Sequence, residues 1–306
     1  MSQVPQVPQV PLPPDSNLRA PKRKLPPGTI DCHAHIFDRF DQYPLDPDRK
    51  YTPPICTREA WLALHTVLGV DRGVQVHGSA YGFDNTITED FIQTDPKRFR
   101  AVAAISPHDS VSHLKKLHAA GFRAARLMDQ FPTGATTRDL ETIAALIAQV
   151  GWHLEINVKD AADWIALEPR LRKCPVGVVI DHLGRVRGSQ GVDSEQFTTV
   201  RRLLDTRPNT WVKVSSWYRI SDAGPPDYAD MKPFAQTLLR NNPDQCVWGT
   251  NWPHPGIHKD MPNDIDLADM LEDWIPDSST RQKLFVTNAE RLYDFEPFSP
   301  SGSGQS

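Results

Sequence analysis

Short apolar runs alternate along the chain with longer amphipathic segments, and this alternation restricts the possible folds more than any other feature of the sequence. Eight runs read as strands, near Thr29–His33, Gly73–His77, Ala101–Ile105, Ala124–Leu127, His153–Asn157, Gly177–Asp181, Trp211–Val214 and Cys246–Gly249. Helical periodicity appears between them, for example over 58–68, 138–150, 195–206 and 231–241. Repeated strand–helix units build a parallel sheet. Eight of them predict an α/β fold of one domain, a closed (β/α)8 barrel, and 306 residues suit one large domain although length alone would allow two. In that architecture catalytic groups gather at the C-terminal ends of the strands, so residues just after each run are the ones to inspect.

The two ends of the chain read differently from its body. The repeat Gln3–Val4–Pro5–Gln6–Val7–Pro8–Gln9–Val10–Pro11 lacks the continuous apolar core of a signal peptide and cannot form a helix. Residues 1–28 are therefore expected to be a flexible Pro-rich arm or an extended strap, and 298–306 a disordered tail, around a folded body of 29–297. No run approaches the length needed to span a bilayer. With 34 basic and 38 acidic residues the net charge is −4, so no global field points to nucleic acid or to an anionic membrane. A small molecule is the expected partner, bound by a monomer or small homo-oligomer. Cys32, Cys56, Cys174 and Cys246 lie far apart without CxxC spacing, which suits reduced thiols in a cytoplasmic protein.

Three strand ends carry the chemistry. Asp31–Cys32–His33–Ala34–His35 places two imidazoles at i and i+2, where a strand points both to one face and lets them converge on one ion or one substrate oxygen. The run Val178–Val179–Ile180–Asp181 delivers His182. The eighth strand passes into Gly249–Thr250–Asn251–Trp252–Pro253–His254–Pro255, where Gly249 and Pro253 break it and expose Asn251 and His254.

Taken in order, Asp31–Cys32–His33–Ala34–His35, Gly82–Phe83–Asp84–Asn85, Ile180–Asp181–His182–Leu183–Gly184–Arg185, Asp222–Ala223–Gly224–Pro225–Pro226, Trp248 through Pro255 and Thr287–Asn288–Ala289–Glu290–Arg291–Leu292–Tyr293 resemble the amidohydrolase superfamily. The resemblance is to its branch of 2-pyrone-4,6-dicarboxylate hydrolases and related lactonases, and it covers nearly the whole folded body. It implies a distorted eight-stranded barrel and hydrolysis of a ring ester by water, without a bound metal. It further implies catalytic roles for His33, His35, His182 and residue 251, anion-binding roles for Arg126 and Arg219, and polar substrate contacts from Tyr51 and Ser79. Asn157 and His254 complete the expected binding set.

The chain departs from that pattern in three places. Where the family carries an aspartate that activates water, Asn251 is an amide, which can orient water but cannot take its proton. Either the substitution disables the site, or another base such as His77 replaces it, or the chain only binds ligand. The family's further arginine after strand four has no counterpart in Leu127–Met128–Asp129–Gln130–Phe131. This points away from 2-pyrone-4,6-dicarboxylate and toward another carboxylated or sulfonated lactone of aromatic-acid catabolism, such as a muconolactone. Asn157 stands where relatives carry tyrosine. No cofactor is expected; the alternative is one zinc held by His33, His35 and His182 with an open position for water. A sugar-acid lactone isomerase or decarboxylase of the same superfamily is the alternative chemistry.

Overall fold

The computed structural model describes residues 10–131 and 133–299. Its strands are β1 (Ile30–Ala34), β2 (Arg72–Val76), β3 (Phe99–Ala103), β4 (Phe122–Met128), β5 (His153–Asn157), β6 (Val178–Ile180), β7 (Thr210–Val214) and β8 (Cys246–Trp248). They are the eight expected runs with ends displaced by a residue or two, and they pair in chain order, each pair parallel. Helices α1 (Arg58–Leu68), α2 (Thr86–Ile92), α3 (Val111–Ala120), α4 (Leu140–Ala148), α5 (Asp163–Leu171), α6 (Glu195–Thr206), α7 (Lys232–Asn241) and α8 (Asp264–Trp274) fill the crossovers, followed by α9 (Ser278–Gln282) and α10 (Asn288–Tyr293). The expected single-domain (β/α)8 barrel is thus the fold observed.

Closure between β1 and the segment after β8 builds the floor of the site. Asn251 N donates to His33 O at 2.7 Å and His35 N to Trp252 O at 2.8 Å. Asp31, fully buried, clamps the seam by accepting from Thr250 N at 2.9 Å and Thr250 Oγ1 at 2.7 Å, and from Trp61 Nε1 of α1 at 3.0 Å. A side chain at Gly249 would place its Cβ 2.7 Å from both the amide nitrogen and Cβ of His33, so only glycine lets the two strands approach this closely. A register shift between Asp31 and Ala34 breaks the period of two, so Cys32 and His33 can both turn inward.

Two apolar layers result. Inside the barrel, Cys32, Val74, Val102, Val179 and Val247 pack into a small core plugged at the strands' N-terminal ends by Tyr293 and Phe295. A larger layer lies between sheet and helices, with Trp61, Leu114, Ile143, Trp164, Phe197 and Leu238 among its fully buried members. Of the two readings of the N-terminal segment, its described residues 10–28 take the extended strap, which corrects the expectation of a free arm there. Leu12 N donates to Ile257 O at 2.7 Å, Lys22 N to Asp269 of α8 at 2.8 Å, and Arg19 pairs with Asp266 and Asp269. Residues 1–9 and 300–306 lie outside the described residues. Phe298, placed at sequence level in the tail, docks its backbone N–H on Glu290 at 2.7 Å. No helix among the described residues is long and apolar enough to cross a membrane.

Candidate active site

The C-terminal mouth of the barrel is a narrow pocket to which β4, β5 and the segments after β1, β2, β4, β6, β7 and β8 contribute. His35, His182 and Asn251 line it beside Arg126 and Arg219, and Tyr51, Ser79 and Asn157 complete the wall. The backbone there is held under strain. His182, Leu183 and Arg185 after β6, Ser216 after β7, and Asn251 and His254 after β8 all have φ between 53° and 61° without being glycine. This left-handed cluster gathers at the strand ends where the sequence places its chemistry.

The three imidazoles form one group. His33 lies beneath the pocket with its ring 4.9 Å from that of His35 and 4.6 Å from that of His182. Burial holds all three neutral, with His33 and His182 pushed well below the usual histidine range and His35 down to about 3, aided by cations such as Lys213 and Arg126. Their partners set their tautomers. His35 Nδ1 donates to Val76 O at 2.8 Å, which leaves Nε2 a bare acceptor, while His182 Nδ1 shares a 2.8 Å hydrogen bond with Ser215 Oγ. The Lys213 ammonium donates into His33 Nδ1 at 3.0 Å, so the proton of that ring sits on Nε2.

Lys213 on β7 is the residue that the sequence reading missed. Fully buried, it lies 2.5 Å from Glu155 of β5 and 3.3 Å from Asp181, and Tyr293 Oη donates to the other Glu155 oxygen at 2.5 Å. Burial would raise both carboxyls, but the ammonium together with His153 at Glu155, and with His182 and Arg126 at Asp181, holds them below their usual values. Its signal was present: Thr210–Trp211–Val212–Lys213–Val214 and His153–Leu154–Glu155–Ile156–Asn157 each carry a charge in mid-strand, where an apolar side chain is the rule.

The donor set brought within 4.8 Å is His33, Asp181 and His182, so His35 is not among the clustered ligands of the zinc set named above. That cluster does not fit a divalent ion. With Lys213 donating to Nδ1 and a proton on Nε2, His33 has no lone pair to offer, and Asp181, whose oxygens make no hydrogen bond among the described residues, is already flanked by the cations of Lys213 at 3.3 Å and Arg126 at 3.7 Å.

Arg126 reaches the pocket from β4 and donates to His77 O at 3.1 Å, with its Nε buried and unpartnered. Asn157 Oδ1 is likewise buried without a partner. Arg219, half-buried, donates to Pro255 O at 2.6 Å and crosses the Tyr218 ring at 5.4 Å. Gln130, Met128 and Phe131 also line the pocket and were not singled out at sequence level. His254 corrects an expectation: it is fully buried and lies behind Asn251 instead of on the pocket wall, between Tyr218 Oη at 2.7 Å and Asp264 at 3.2 Å. His77 also fails as a replacement base. Its Nε2 bonds Gly82 O at 2.9 Å, its Nδ1 is buried, and burial lowers it to about 4.

Residues 30–295 match the amidohydrolase family model, and the chain belongs to that family, in its lactonase branch. It is 36% identical over 291 residues to a 2-pyrone-4,6-dicarboxylate hydrolase of Comamonas testosteroni, covering 91% of this chain and 94% of the relative. A 4-sulfomuconolactone hydrolase of Hydrogenophaga intermedia is 35% identical, with 88% and 89% covered. Among solved structures, an Agrobacterium tumefaciens protein in its apo form superposes with a TM-score of 0.81 at 29% identity, over 91% of this chain and all of the other.

Proposed function

We propose that the chain hydrolyses an anionic lactone, carboxylated or sulfonated, by attack of water on the ring ester, without a metal, as a step in the breakdown of aromatic acids. The observation that carries this reading is the meeting of two guanidiniums, Arg126 and Arg219, with neutral histidines in one pocket. Guanidinium forks match the oxygens of a carboxylate or sulfonate, and the unpartnered Arg126 Nε and Asn157 Oδ1 are left for a ligand to satisfy. In this scheme Ser215 Oγ donates across its 2.8 Å contact to Nδ1 of His182, so that Nε2–H of the histidine stabilises charge developing on the lactone carbonyl oxygen. His33 supports it from below. The bare Nε2 of His35 accepts a hydrogen bond from the attacking water and so aims it at the carbonyl carbon.

The relatives' substrates supply the test panel: 4-sulfomuconolactone, 2-pyrone-4,6-dicarboxylate and an uncharged lactone of similar size. Ring opening of a charged member, with a product heavier by one water and no turnover of the uncharged one, is the expected result. A product of unchanged mass would mean isomerisation, loss of carbon dioxide would mean decarboxylation, and saturable binding without product would mean a binding protein; each overturns the hydrolase.

A further inference from the structure

We propose that Tyr218 is the general base of this site, supported from behind by a buried Asp264–His254 pair and steadied from the pocket side by Asn251. The proposal rests on the lactone-hydrolase reading and supplies the proton acceptor that Asn251 cannot be.

Tyr218 lies in the short turn Trp217–Arg219 after β7, entered through Ser216 at φ 55°. Its hydroxyl oxygen is 2.7 Å from His254 Nδ1 and 2.7 Å from Asn251 Nδ2. His254 Nε2 is 3.2 Å from Oδ2 of Asp264, which opens α8 within its first turn. An acid orients an imidazole, which in turn faces a hydroxyl bonded to Asn251 of the pocket wall: this is the geometry that activates a side-chain O–H. Tyr218 itself is partly exposed and sits between two residues that line the pocket, Arg219 beside it in the chain and Asn251 at its hydroxyl, whereas His254 is fully enclosed, so the contact with water is assigned to the tyrosine.

The charges around the pair agree. Burial would raise Tyr218, but Arg219 and then His254 overcome it and bring the phenol below its usual range. Burial would lower His254, yet Tyr218 and Asp264 raise it to about 9. Tyr228 is a further titratable neighbour, and burial raises it. Tyr218 Oη and His254 Nδ1 share one proton, and in the reactive form the phenol O–H bond is broken and that proton rests on the histidine, which leaves a phenolate beside an imidazolium. The phenolate then takes a proton from water as the water oxygen bonds to the carbonyl carbon, and the carbonyl π electrons move to its oxygen. On collapse the ring C–O bond breaks and the departing oxygen takes the proton from Tyr218, leaving a hydroxy acid. An amide at 251 suits this scheme because Nδ2–H can donate to the phenolate; a carboxylate there would set a second anion 2.7 Å away.

Tyr218→Phe keeps the ring and removes the oxygen. On 4-sulfomuconolactone, kcat should fall by about 10²-fold or more, the scale of general-base catalysis, with KM little changed. The ultraviolet phenolate titration gives a second readout independent of turnover. The other five tyrosines, Tyr43, Tyr51, Tyr81, Tyr228 and Tyr293, are all pushed upward, so the lowest phenol step belongs to Tyr218. That step should vanish in Tyr218→Phe, move alkaline in His254→Gln and Asp264→Asn, and coincide with the acid limb of the wild-type kcat/KM profile. Undiminished turnover by Tyr218→Phe, or persistence of the low phenol step in it, overturns the assignment alone. Failure of the wild type to open any lactone of the panel overturns the functional reading and the base with it.

Discussion

Lys213→Met tests whether the mouth of the barrel is built on an internal ammonium. The side chain is fully buried and serves Glu155 at 2.5 Å, Asp181 at 3.3 Å and His33 at 3.0 Å. Methionine fills similar volume, so the perturbation is electrostatic: two buried carboxylates lose their common cation, and among the described residues they keep Arg126, 3.7 Å from Asp181, and the His153 imidazole, 3.7 Å from Glu155. Removing one partner of a buried ion pair typically costs about 3–5 kcal/mol. The entropy of unfolding is about 2.1 cal/mol/K per residue, so over roughly 300 residues the midpoint should drop by about 5–8 °C. Urea and thermal unfolding at neutral pH read this directly. The companion Lys213→Met/Glu155→Gln removes one of the stranded charges and should recover a substantial part of the loss, because the two positions are coupled. A loss below about 1 kcal/mol for the single variant, or a double variant less stable than the single, would refute the reasoning.

Three further outcomes are expected. Arg219→Ala should weaken binding of a carboxylated or sulfonated lactone by about 1.5–3 kcal/mol while leaving the fold intact, and equal affinity by titration calorimetry would remove the anion-site role. Because His33 has no free lone pair beside Lys213, purified protein should carry substoichiometric zinc and lose no turnover to a chelator; a tightly held equivalent by elemental analysis would overturn the metal-free reading. Asn251→Asp deletes the amide donor to Tyr218, so turnover should fall and the lowest phenol step should move alkaline; a gain of about 10²-fold would instead give the base role to position 251.

Much of the barrel was legible because strand–helix alternation is local and repeats eight times. The strands arrived in place, and His35, His182, Arg126, Arg219 and Asn251 line one pocket with His33 beneath it, since a parallel barrel brings the C-terminal ends of its strands to one rim. What stayed hidden depends on contacts between elements far apart in the chain. Lys213 and Glu155 are separated by 58 positions, and nothing local pairs them. His254 could be placed after β8 but not oriented: its φ of 61° belongs to a turn that carries it behind the pocket toward Asp264. The strap was ambiguous for the same reason, because its anchors Asp266 and Asp269 lie on α8.

Residue 251 shows why a site is read from its partners. Viewed alone, an amide in place of a carboxylate is a lost base. In the folded chain its N–H meets a phenol oxygen that a buried histidine contacts from the other side, and the proton acceptor moves from one rim residue to the next. Aspartate at this position would itself accept protons and gain nothing from a neighbouring phenolate, whereas asparagine stabilises one by donating to it. The amide, Tyr218, His254 and Asp264 therefore form one unit, so replacements within it should be non-additive. If Tyr218→Phe has already removed the base, adding His254→Gln should cost little further turnover. A second loss as large as that of His254→Gln in the wild-type background would show that the histidine acts on the reaction by a separate route.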